Sequence, residues 1–293
     1  MISEENKKTN ADCKIIFETI IEKNTSQQAF EWLREKNLQS NPSSFNMAFS
    51  SIPRKTGKHE LHIDIGDQQK LEKAIPGFGI EGFTIDRLSR IWLLMHLDDS
   101  DKKNYTDKIE TLFSLAEMNE SVALYSALPF LSFFEEWKSR CSEGIRSNIG
   151  TVLEAIMYHN PYPAQYLDET AWNQLIMKAF FTDKDVTKIT GLDDRKNKNL
   201  ADTVFDYIRE RWAAQRSANI QLWRLVGKYI DESNFNLIEK LFNDKNDIHK
   251  KAALLACAGS SYEPAKRLLE NDAQLKTEIE NDILNWDTLT SEI

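Results

Sequence analysis

The chain has 293 residues, of which 41% are hydrophobic and 10% aromatic, enough to bury a substantial core. A formal net charge of −9 argues against general nucleic-acid binding, which draws its affinity from neutralised phosphates, and against docking onto anionic lipid by charge alone. Cys13, Cys141 and Cys257 are single and far apart, with no CxxC pair, which reads as reduced, buried thiols of a cytoplasmic protein. The opening residues lack the apolar core of a signal peptide. The longest apolar run, Leu124 to Phe134, is interrupted by Pro129 and falls short of the roughly 20 residues a membrane span needs, so no span is expected.

In chain order, apolar residues recur at three and four. Ile15, Ile16 and Ile20 make an early stripe, and Ser26 can cap a helix carrying Ala29, Phe30 and Leu33. Residues 52–84 break the pattern. Leu61, Ile63 and Ile65 alternate with His62 and Asp64 as a strand would, and Gly77, Gly79 and Gly82 follow, so a short insertion, either irregular or a hairpin, is expected there. Thr84 can cap the next helix, with Ile85, Leu88, Ile91, Trp92 and Met95 on one side. Helical runs are then predicted over 102–116, 121–140 with a break at Pro129, 147–158, 168–181, 199–215 and 219–229. Three or four more follow between Glu232 and Trp286, and the polar, acidic stretch 270–293 reads as a terminal capping segment. The fold class is therefore all-α, a single domain built as an irregular array of antiparallel helix pairs like a HEAT or armadillo superhelix, with a closed bundle as the alternative.

Known catalytic signatures do not occur. The five histidines form no HExxH, and there is no GxSxG or Walker A loop. Gly77–Gly82 echoes GxGxxG but lies in no βαβ unit. The segment HLDDSD at His96, with Asp98, Asp99 and Asp101, reads first as a solvated helix cap and turn rather than a metal site, and it lacks the DDxxD spacing of terpene synthases. Arg54, Lys55 and Lys58 read as a solvated loop, with phosphate binding the lesser reading. Neither a cofactor nor a metal is expected.

The stretch HNPYPAQYLDETAWNQ, His159 to Gln174, is the densest in functional side chains. Pro161 and Pro163 bias their neighbours toward extended backbone, so a stiff, extended corner is predicted, with Asp168 capping the next helix and Trp172 and Leu175 facing the core. That packing account covers every residue without a ligand. The rival account has Tyr162, Tyr166, Asn173, Gln174 and Lys178, with His159 and Asp168 beside them, converge with Arg209 and Arg211 of the later helix on a pocket for a polar or aromatic metabolite. An ion-pair network uses the same residues.

Two segments resemble the EboA-domain family: EAIMYHNPYPAQYLDETAWNQLIMKAFF, Glu154 to Phe181, and LADTVFDYIRERWAAQR, Leu200 to Arg216, followed by Leu222-Trp223. The resemblance implies a bacterial protein encoded beside a membrane prenyltransferase and hydrolase-like and isomerase-like proteins, in a system linked to secondary metabolites and their traffic toward the cell envelope. It supplies no catalytic residue. The resulting expectation is a non-enzymatic scaffold or adaptor with a protein partner from the same system. The alternative is a metabolite-binding protein or enzyme with its site between the NPYPA corner and the RERWAAQR helix.

Overall fold

A computed structural model describes residues 4–37 and 42–292. In chain order the helices are α1 (Glu4–Asn24), α2 (Gln27–Asn37), α3 (Pro42–Thr56), α4 (Ile65–Ala74), α5 (Ile85–Leu94), α6 (Lys102–Leu115), α7 (Met118–Ser126), α8 (Lys138–Ile145) and α9 (Gly150–Met157). There follow α10 (Tyr162–Tyr166), α11 (Glu169–Phe181), α12 (Lys198–Ala213), α13 (Phe235–Phe242), α14 (Asp247–Ala258), α15 (Glu263–Leu269), α16 (Ala273–Glu280) and α17 (Trp286–Thr290). Among the described residues no strand forms, and the chain is all-α as its periodicity predicts. It divides into two compact units, one of residues up to Leu175 with Lys188–Thr190, the other of Ile176–Thr187 with the residues from Gly191 on.

The first unit is organised on α5. Ile85, Leu88, Ile91, Trp92, Leu93 and Leu94 are buried, and the helix packs on α1, α3 and α7, with α7 on α9 in turn. Helices distant in sequence thus meet around α5, whereas a solenoid repeat touches only its chain neighbours. A charged group sits inside this core. Arg90 donates to Asp86 at 2.6 Å and to the Phe49 carbonyl at 3.2 Å, and Glu120 lies 4.0 Å away. The pairing is what makes such burial tolerable, since removing one partner would leave an uncompensated charge.

The second unit is organised on α14, whose residues Ala252–Cys257 are buried against α13, α15, α16 and α17. Small side chains let backbones approach. A Cβ on Gly227 would come within 2.6 Å of the Ala256 carbonyl oxygen. That contact helps explain a departure from expectation. Residues 219–229 are not one α-helix but two tight 3-10 turns, Ile220–Leu225 and Gly227–Tyr229, carrying Leu222 and Trp223 into the core.

Of the two alternatives for the insertion, the irregular one forms and the hairpin does not. Leu61–Asp64 is irregular, a lone bridge joins Glu60 to Thr84, and Ile65 opens α4 with its side chain 74% exposed. Asp64 caps α4 by accepting from the Asp67 amide, and Lys23 of α1 reaches both carboxylates, at 2.7 and 2.5 Å. The 3-10 turn Leu128–Phe130 supplies the break expected at Pro129.

Candidate functional site

The signature segment follows α9. Its corner is not extended, as the prolines suggested, but coils at once into the short helix α10 with Pro163 in the first turn. There a missing amide costs nothing, and proline's fixed φ suits the helix. Asn160 pins the corner. Its side-chain amide donates to the carbonyls of Tyr125 and Ala155 at 3.2 and 3.0 Å, while its oxygen accepts from the Tyr162 amide. Tyr162 is wholly buried and donates to the Phe134 carbonyl at 2.6 Å. Tyr166 stacks on Phe134, ring centroids 5.0 Å apart, and tilts against Tyr162. Asp168 caps α11 by accepting from the Ala171 amide at 2.8 Å. Trp172 and Leu175 are in the core as predicted, Asn173 is half-buried, and Gln174 faces solvent.

His159 is the exception in this segment, because it meets open space. Its φ is +48°, in the left-handed region that side chains seldom adopt. Two backbone bonds hold it there: its amide donates to the Lys188 carbonyl at 2.8 Å, and its carbonyl accepts from the Gly79 amide at 3.0 Å. A Cβ on Gly79 would lie 3.0 Å from the His159 Cβ, so glycine is what lets the loop close on the histidine. Gly77, at φ +78°, is held beside it by a bond from the Thr190 hydroxyl to its carbonyl. The imidazole then borders a cleft of about 320 Å³. Leu71, Phe78 and Ile80 floor the cleft, and Gln68, Gln69, Glu72 and Glu81 rim it. Its volume lies within the roughly 300–1,000 Å³ range of small-molecule sites, with an apolar base and a few polar groups to orient a ligand.

The other candidates lie in the second unit. Lys178 is half-buried on α11. Arg209 is exposed and turns to Asp206 and the Ser233 carbonyl. Arg211 donates to the Ser217 carbonyl at 2.8 Å and lies over the Tyr207 ring. These two arginines thus use different local acceptors. The RWAAQR segment does border a cleft, of about 310 Å³, through residues not singled out from the sequence. Trp212 and Trp223 face each other at 5.7 Å, Lys240 lies 4.4 Å over the Trp212 ring, and Gln215 and Arg216 complete the wall.

At His96 the capping reading holds. Asp101 caps α6, Asp98 accepts from the Ser100 amide, Asp99 accepts from the Ser132 hydroxyl, and the His96 ring faces the Trp92 carbonyl. Sequence reasoning missed Asn160 as the pin of the corner. It also missed the glycine loop as its partner, and long-range partnership of this kind leaves no mark in local spacing.

The class so defined is an all-α protein whose buried signature corner clamps a glycine loop at the edge of a metabolite-sized cleft. The family described as Metabolite traffic protein EboA matches residues 13–227, and the chain belongs to that family. No curated protein and no solved structure matches it. The His159 cleft lies wholly within the matched stretch.

Proposed function

We propose that the chain is a non-enzymatic scaffold or adaptor in a bacterial secondary-metabolite biosynthesis and transport system, and that it takes part by holding a metabolite reversibly in the His159 cleft. The observation that carries this reading is the clamp at His159: a side chain in a strained left-handed conformation, fixed by both its backbone groups, with its ring at an open cleft. Strain of that kind persists only where the surroundings over-determine it, and it clusters at ligand sites. The rim carries two carboxylates, two amides and an imidazole over an apolar floor. It suits a ligand with an apolar body and hydroxyl or amine groups that donate to Glu72 or Glu81. The family's description as a traffic protein supports transfer of the molecule onward rather than its conversion.

The test compares wild type with His159→Asn, which keeps a residue tolerant of the left-handed conformation but removes the imidazole. Both are equilibrated with extract of cells that run the pathway, and melting temperature is read. The extract should raise the melting point of wild type and leave His159→Asn unmoved. An equal rise in both, or none in either, contradicts the reading.

A further inference from the structure

The cleft at the end of α12 lies wholly within the second unit, and the segment from Trp212 to Arg216 builds one side of it. The helix closes there in a Schellman turn: the Gln215 amide donates to the Trp212 carbonyl at 3.0 Å and the Arg216 amide to the Arg211 carbonyl at 2.9 Å. Such a turn needs a left-handed residue, a place glycine usually fills, and Gln215 takes it at φ +57°. The Ala214 amide meets the Glu210 carbonyl as well, so three of the terminal carbonyls are satisfied inside the helix end. The turn brings Arg216 and Ser217 to the cleft beside Trp212.

The apolar part of the wall is mainly aromatic. Trp223 and Leu241 are buried, and the half-buried Trp212 meets Trp223 at an angle of 38°, ring centroids 5.7 Å apart. Rings set this way offer both faces and edges to a further flat ring. At about 310 Å³ the space is large enough for a small molecule. Lys240, Leu241, Asp244 and His249 lie beyond the stretch the family matches, so the family's description does not extend to this site.

The charges around it do not balance. The Arg216 side chain makes no hydrogen bond or ion pair with any described residue, and Lys240 engages only the Trp212 ring, 4.4 Å from its centroid. A single carboxylate borders the cleft, that of Asp244, and it is already committed. It accepts from the Asn246 amide at 2.9 Å, which holds the carboxyl below its ordinary range, and Nδ1 of His249 lies 3.4 Å from it. Two cations against one ionised carboxylate leave one positive charge in surplus, on a chain whose net charge is −9. That surplus matches a monoanion, whereas the second charge of a phosphate monoester would go unmet. The planar fork of arginine fits a carboxylate, and lysine adds a point charge beside it.

We infer that this cleft binds a small aromatic monocarboxylate, its flat body against Trp212 and Trp223 and its carboxylate on Arg216 and Lys240. The site is separate from the His159 cleft, and its occupancy does not depend on what that cleft holds. Neither half of the ligand suffices alone: the rings supply the buried area and the two cations select the charge.

The probes are 2-naphthoate, the uncharged 2-naphthalenemethanol and sodium acetate, each added to the full chain at constant ionic strength. The readout is the indole N–H signal of Trp212 in a proton–nitrogen correlation spectrum, identified by its loss in Trp212→Phe. Naphthoate should move that signal saturably, naphthalenemethanol should bind about tenfold more weakly, and acetate should leave the signal unmoved. Arg216→Gln and Lys240→Gln alter exposed side chains and should each weaken naphthoate about fivefold or more, with the binding of naphthalenemethanol unchanged. His159→Asn should bind naphthoate as wild type does. The inference is overturned by the absence of a saturable shift, by equal binding of the acid and the alcohol, or by acetate binding as tightly as naphthoate. Naphthoate binding that survives unchanged in both charge variants, or that is lost in His159→Asn, overturns it as well.

Discussion

At Asn160 and Tyr162 the most distinctive part of the sequence is spent on backbone carbonyls. Tyr162→Phe removes the donor to the half-buried Phe134 carbonyl, and the melting curve should show a loss of about 1 kcal/mol. Asn160→Ala strands two carbonyls and an amide and should cost about 2–4 kcal/mol. These effects belong to stability, so neither variant that remains folded should change what the His159 cleft retains. The three thiols allow a prediction of the same scale. All are buried, and burial pushes Cys13 and Cys257 up to about 12 and Cys141 higher still. Since the thiolate is the reactive form, a thiol reagent at neutral pH should label none of the three in the folded chain and all three in denaturant.

Among the elements, the loop 77–84 borders two clefts of the first unit, the one at His159 and one at the N-terminus of α5. Gly79→Ala crowds the His159 side chain at 3.0 Å, so that the loop or the histidine must give by a few tenths of an ångström, and should weaken retention in that cleft, with the melting temperature only modestly lowered. Gly77→Ala meets both a left-handed φ and the Thr190 methyl at 2.5 Å, and should cost about 1–3 kcal/mol. Elements with a broad buried face were legible in the sequence. Nearly every residue of α5 is buried, and its apolar spacing announces it. By contrast, α4 buries only Leu71 and Asp67, so no periodic stripe marks it, and the chance alternation of Leu61, Ile63 and Ile65 reads as a strand. The 3-10 turns at 220–229 carry apolar residues at helix-like spacing, and what tightens them is a backbone contact with Ala256 far along the chain. The motif residues of the candidate site were legible as a group. The cleft was not, because His159 acquires it from a loop eighty residues upstream.

Across the whole molecule, acid stability follows from charge pairs that tie distant segments. In the second unit Arg224 bridges Asp193 and Asp287, and Lys196 adds to Asp193 at 2.8 Å. Burial alone would raise the Asp193 carboxyl, but the hydrogen bonds and charges of Arg224 and Lys196 outweigh it and hold it at about 2. A carboxylate depressed on folding contributes stability that is fully present above its unfolded value near 3.8 and is lost as pH falls toward 2. Melting temperature should therefore fall across that window, and Arg224→Met should flatten this part of the profile. The acidic surface and the family's described role join in one account, that of a helical frame holding a small molecule rather than nucleic acid.

Native mass spectrometry of the full chain, isolated after exposure to extract of cells running the pathway, tests that account most directly. The account predicts a small molecule retained at one copy per chain, lost in His159→Asn and in Gly79→Ala, and kept in Tyr162→Phe. A bare wild-type chain, or a molecule retained equally by His159→Asn, would contradict it.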